Sequence, residues 1–151
     1  MKTFRLFRFV CIFLITFSMA HVTRAGQDTN REELALLEQS ANTVIDKGLR
    51  KALSEMVRLV ALHDQSKSST TRGEEVQDIY RASWRVYANF MGVREEYPDR
   101  EVANVREIIV QIYEVTLRKT LWITEQKTVS RELTLAQADM RGKLQFFKEA
   151  K

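Results

Sequence analysis

The chain has 151 residues, with 24 Lys and Arg against 20 Asp and Glu, a formal net charge of +4, and 44% hydrophobic residues. One cysteine excludes an internal disulfide framework and a cysteine-rich metal site, and two histidines leave little for imidazole chemistry. With five glycines and one proline, the composition favours long helices over an all-β fold with many turns.

The chain opens MKTFRLFRFVCIFLITFSMAHVTRA. Lys2, Arg5 and Arg8 precede an apolar run from Phe9 to Phe17, and small-residue exits follow at Ser18-Met19-Ala20 and Thr23-Arg24-Ala25. A basic start, a short apolar run and an A-x-A-like exit are the parts of a cleavable secretory signal. A spanning helix needs about 20 apolar residues, more than lie between Arg8 and Ala20. Residues 1–25 are therefore predicted to be a signal peptide, cut after Ala25, with Ala20 as the competing site. Cys11 lies inside the apolar run behind bulky residues and reads as a signal residue rather than a lipid site. The implied destination is the periplasm or the extracellular space, with membrane contact only through the signal.

Residues 1–25 hold four of the 24 bases and no acid, so residues 26–151 carry 20 of each and no cysteine. Nucleic-acid binding draws on a positive surplus. The neutral mature chain argues against it.

Residues 26–151 are predicted to form a single domain. Thr29 and Glu32 have capping-box spacing, and Leu34, Leu37, Ala41, Val44, Ile45, Leu49, Ala52, Leu53, Met56, Val57 and Val60 recur at intervals of three and four. The spacing predicts a first helix over 30–63, with Gly48 in mid-run. The polar DQSKSSTTRG, residues 64–73, reads as a linker. Thr71 and Glu74 then cap a second helix over 74–91, which carries a heavily aromatic stripe and ends at Gly92.

Pro98 precedes a third helix over 99–127, with Asp99 as its N-cap and Glu101 in its first turn. Its EIIVQIYEV stretch is rich in β-branched residues, yet the helical spacing extends on both sides. A fourth helix over 131–149 is predicted from Leu133, Ala136, Met140, Leu144 and Phe147, with Thr134 and Gln137 as its cap. The alternative is one rod from the third helix to the C-terminus. Leu133, Thr134 and Gln137 also resemble, in one copy, the LTxxQ motif of a family of small periplasmic helical chaperones and stress regulators. That resemblance implies a chaperone-like role.

Amphipathic helices must bury their apolar faces against one another. The expected fold is all-α, an antiparallel bundle of three to four amphipathic helices after the signal peptide.

Little in the chain points to catalysis. His63, beside Asp64, reads as a cation at a helix C-terminus. The Glu-x-x-His pairs of di-iron bundles are absent. Glu32-Glu33 and Glu74-Glu75 sit at predicted helix starts, where acids suit the dipole. No glycine-rich phosphate loop exists. The expectation is a non-enzyme with no catalytic residue, metal or cofactor.

The candidate binding residues are Tyr80, Trp84, Tyr87 and Phe90, together with Trp122. At helical spacing they read first as core and second as a groove for a peptide or an apolar ligand. The expected function is protein–protein contact, with another protein or a second copy. An accessory subunit of an envelope or secretion assembly fits, and so does a small periplasmic chaperone. The alternative is a carrier of a lipid or other small apolar ligand between its helices.

Overall fold

A computed structural model describes residues 30–65, 69–120 and 131–150. Over these the chain is helical and has no strand: α1 (30–42), α2 (Lys47–Gln65), α3 (Ser69–Glu96), α4 (Asp99–Thr120) and α5 (Arg131–Glu149). By internal contacts it divides into two units, Met1–Ala35 and Leu36–Lys151. The first is described only over 30–35, as helix. All that follows concerns the second. The predicted signal peptide and Trp122 lie outside the described residues.

The pairings between helices set their directions. Gly48 of α2 approaches Asn89 of α3, Glu55 pairs with Arg85, and His63 meets Glu75. Numbers rise along one helix as they fall along the other, so α2 and α3 are antiparallel. Tyr113 of α4 donates its hydroxyl to the Ser83 carbonyl of α3 at 2.7 Å. Glu114 pairs with Lys148 of α5, and the Thr120 carbonyl with Gln137, so α4 and α5 also run in opposite directions. Asp64 and Lys119 join the C-terminal ends of α2 and α4. These four helices alternate up and down around one apolar core.

That core takes Leu49, Leu53, Met56 and Val60 from α2, Val76, Ile79, Val86 and Phe90 from α3, Ile109, Ile112 and Tyr113 from α4, and Met140 and Phe147 from α5. Full burial of one such side chain contributes roughly 1.5–3 kcal/mol. Phe147 is the aromatic hub. Its ring centroid lies 5.2 Å from Phe90 and 5.3 Å from Tyr113, both edge to face.

The predicted first helix is two helices. Residues 43–46 break it between α1 and α2. The Thr43 and Val44 amides donate back three residues, to the Ser40 and Ala41 carbonyls, which tightens the end of α1. Asp46 then caps α2: its Oδ1 accepts the Leu49 amide at 2.7 Å. Apolar spacing runs through the break because Val44 stays in the core while Ile45 turns outward.

The predicted linker over 64–73 is mostly helix. α2 runs to Gln65 and α3 begins at Ser69, which places Thr71 and Glu74 inside a helix instead of at its cap. The end at Gly92 is also corrected. α3 passes through Gly92 to Glu96, and no described glycine has positive φ. Val93 gives the reason, since its buried side chain extends the apolar stripe by one position. Pro98 is the actual stop, because it disfavours helical geometry in the residue before it.

α4 opens at Asp99, but its first amides are satisfied by backbone: Glu101 and Val102 both donate to the Pro98 carbonyl. Asp99 thus lies in the first turn and not at the N-cap. α5 opens at Arg131, so Thr134 and Gln137 are not its cap. Gln137 is buried and donates Nε2 to the buried Thr120 carbonyl at 2.6 Å, which gives that carbonyl a partner from α5.

Candidate functional site

Two neighbouring stripes run along α3. Val76, Ile79, Val86, Phe90 and Val93 face the core. Tyr80, Trp84 and Tyr87 lie one position to the side, where α3 meets α5. Of the four candidate residues that are described, Phe90 is core. Tyr80 and Tyr87 are half-buried, and Trp84 is 46% exposed.

What gathers the three outer rings is a residue the spacing of apolar positions passed over. Lys143 of α5 is only 6% exposed. Its Nζ lies 3.5 Å from the centroid of the Trp84 ring, 5.7 Å from that of Tyr80 and 6.0 Å from that of Tyr87. The ammonium also pairs with Asp139, one turn earlier on α5. A cation over an indole face gains about 2 kcal/mol when desolvated.

Burial pushes the Lys143 pKa down from its ordinary 10.5 to about 8. The rings continue inward as a connected series. Trp84 meets Tyr87 edge to face at 5.9 Å, and Tyr87 meets Phe146 at 5.4 Å and Phe147 at 6.1 Å. An exposed tryptophan is therefore held by rigid packing beneath it. Chemically this is a surface for apolar and cation–π contact.

A second feature lies at the other end of α3. The α1–α2 break, the C-terminal end of α3 and the first turns of α4 enclose a cavity of about 260 Å³, partly open to solvent. Val44, Ile45, Val93, Tyr97, Val105 and Ile108 form its apolar wall. Thr43, Asp46, Glu101 and Asn104 supply the polar groups. The break at 43–46 makes this space.

The opposite end of the bundle carries two part-buried ion pairs. His63 Nδ1 lies 3.2 Å from Glu75 Oε2, and Lys119 Nζ donates to Asp64 Oδ2 at 3.2 Å. These pairs tie α2 to α3 and to α4. His63 lies in the last turn of α2, as expected, and also makes an inter-helical contact from a buried position.

Among the described residues no group of three or more His, Cys, Asp and Glu is placed to hold a metal, and no helix is long and apolar enough to cross a membrane. No family model matches the chain, and neither a curated protein nor a solved structure is similar enough to count as a match.

Proposed function

We propose that this chain is an exported, non-catalytic helical bundle that acts through protein–protein contacts. It would be an accessory subunit of an envelope or secretion assembly or a small periplasmic chaperone. The observation that carries the reading is Trp84, an indole half-exposed on a pre-packed aromatic platform. Large aromatics held rigid before contact are the residues that dominate binding energy at protein interfaces. They give up little conformational freedom on docking. The leader over residues 1–25 supports export, with maturation after Ala25.

The test is recovery of the tagged protein from its native cells under native conditions. The mature chain begins at Gly26 by N-terminal sequencing, and a defined protein co-purifies with it. Trp84→Ala reduces that recovery at least tenfold while leaving the helical circular dichroism intact. Recovery of the protein alone, or equal recovery with Trp84→Ala, contradicts the reading.

A second reading, carriage of a small apolar ligand between helices, is favoured by the cavity at the α1–α2 break. Ligand sites are concave, mostly apolar and fitted with a few polar groups, which describes this lining.

A further inference from the structure

We infer that the cavity lined by α1–α2, α3 and α4 is a site for a small amphiphilic cation, an aryl or short alkyl group bearing an ammonium head. The inference rests on the second reading above and names the chemical class of its ligand.

Size sets the apolar part. A dry apolar cavity of about 150 Å³ holds benzene. At about 260 Å³ this one takes a ring and a short chain. Val44, Val93 and Val105 are buried side chains of its wall, and Ile45, 64% exposed, stands at the solvent side. A ligand inserted here covers apolar surface that the fold leaves open.

Charge sets the head. Two carboxylates, Asp46 and Glu101, line the cavity, and no basic residue does. Two helix N-termini reach this region, and such ends ordinarily attract anions. Here each is served in part. Asp46 Oδ1 accepts the Leu49 amide, and the Pro98 carbonyl accepts the amides of Glu101 and Val102. Arg50, in the first turns of α2, donates Nη1 to the Val44 carbonyl at 3.3 Å. An anionic head would have two like charges facing it. An ammonium head meets those same carboxylates favourably, and Asn104 offers an amide oxygen as a further acceptor.

The experiment is calorimetric titration of the full chain at pH 7 with three probes of one shape: 4-phenylbutylamine, 4-phenylbutanol and 4-phenylbutanoate. The amine binds about tenfold more tightly than the alcohol, the scale of one partly screened charge contact, and the carboxylate binds least. Glu101→Gln brings the amine close to the alcohol. Asn104→Trp, a change at an exposed position of the cavity lining, fills the space and blocks all three without disturbing the core. Carboxylate binding equal to the amine overturns the cation assignment and leaves the carrier reading standing. Absence of binding by every probe overturns both. Binding undiminished in Asn104→Trp puts the probe elsewhere and overturns the site.

Discussion

Lys143 sits where a lysine is costly. Its ammonium is almost fully covered, between Asp139 and the faces of three aromatic side chains. In the unfolded chain it titrates near 10.5, and in the folded chain near 8. Below about pH 8 both states are charged, and the fold bears the whole cost of burying the cation. Between about 8 and 10.5 the unfolded chain still binds a proton that the folded chain has released, so stability rises with pH across that window. Lys143→Met removes the titrating group. Urea unfolding at pH 7 and pH 10 should show wild type gaining stability relative to Lys143→Met at the higher pH. A difference between the two proteins that is independent of pH contradicts this placement of the charge.

The same residue shows what the sequence concealed at this scale. Ala136, Met140, Lys143 and Phe147 lie at intervals of four, three and four, so Lys143 is squarely on the core stripe of α5. The apolar reading chose Leu144, which is half-buried. A lysine on such a stripe is legible only by ranking position above residue type. Trp84 was read in the reverse sense. It looked like core because it was aromatic, yet it stands one position off the stripe formed by Ile79, Val86 and Phe90.

Among the elements, the helical character of the apolar-spaced segments was legible, because intervals of three and four recur through them. The break at 43–46 was not. Val44 remains buried across it, so the spacing continues while the backbone does not. Polar composition at 69–73 suggested a loop, yet α3 begins at Ser69. Gly92 suggested a stop, but glycine within a helix costs only about 1 kcal/mol, and the burial of Val93 offsets that. The cavity depended on the break and was therefore invisible too.

Gly48 has a defined role between elements. A Cβ placed there would stand 2.8 Å from Asn89 Oδ1 on α3. The Asn89 amide is itself held by the Arg85 carbonyl at 2.7 Å. Gly48→Ala gains helix propensity of about 1 kcal/mol but must push this side chain aside. The single substitution should therefore gain little, and the full increment should appear in an Asn89→Ala background. A double-mutant cycle by chemical denaturation measures the difference. Strict additivity would mean that the α2–α3 approach is not limited at Gly48.

At the scale of the whole molecule, the bundle separates its features along its length. One end holds the part-buried pairs His63–Glu75 and Asp64–Lys119, which fasten the C-terminal end of α2 to its neighbours. The other end holds the cavity. Between them lies the aromatic platform, with Trp84 at its rim and Phe147 at its root. Among the described residues the interior thus provides stability without cysteine, and the Trp84 indole stands half-exposed. The balanced charge of residues 26–151 suits a partner recognised by shape and apolar contact more than by long-range attraction.

The central claim is that a protein docks at the Trp84 platform. It is tested most directly by replacing Trp84 with a photo-crosslinking amino acid in the native cell and irradiating. Glu38, exposed on α1, serves as the control position. The account predicts one discrete crosslinked protein band from position 84 that position 38 does not yield. No adduct from position 84, or the same adducts from both positions, would contradict it.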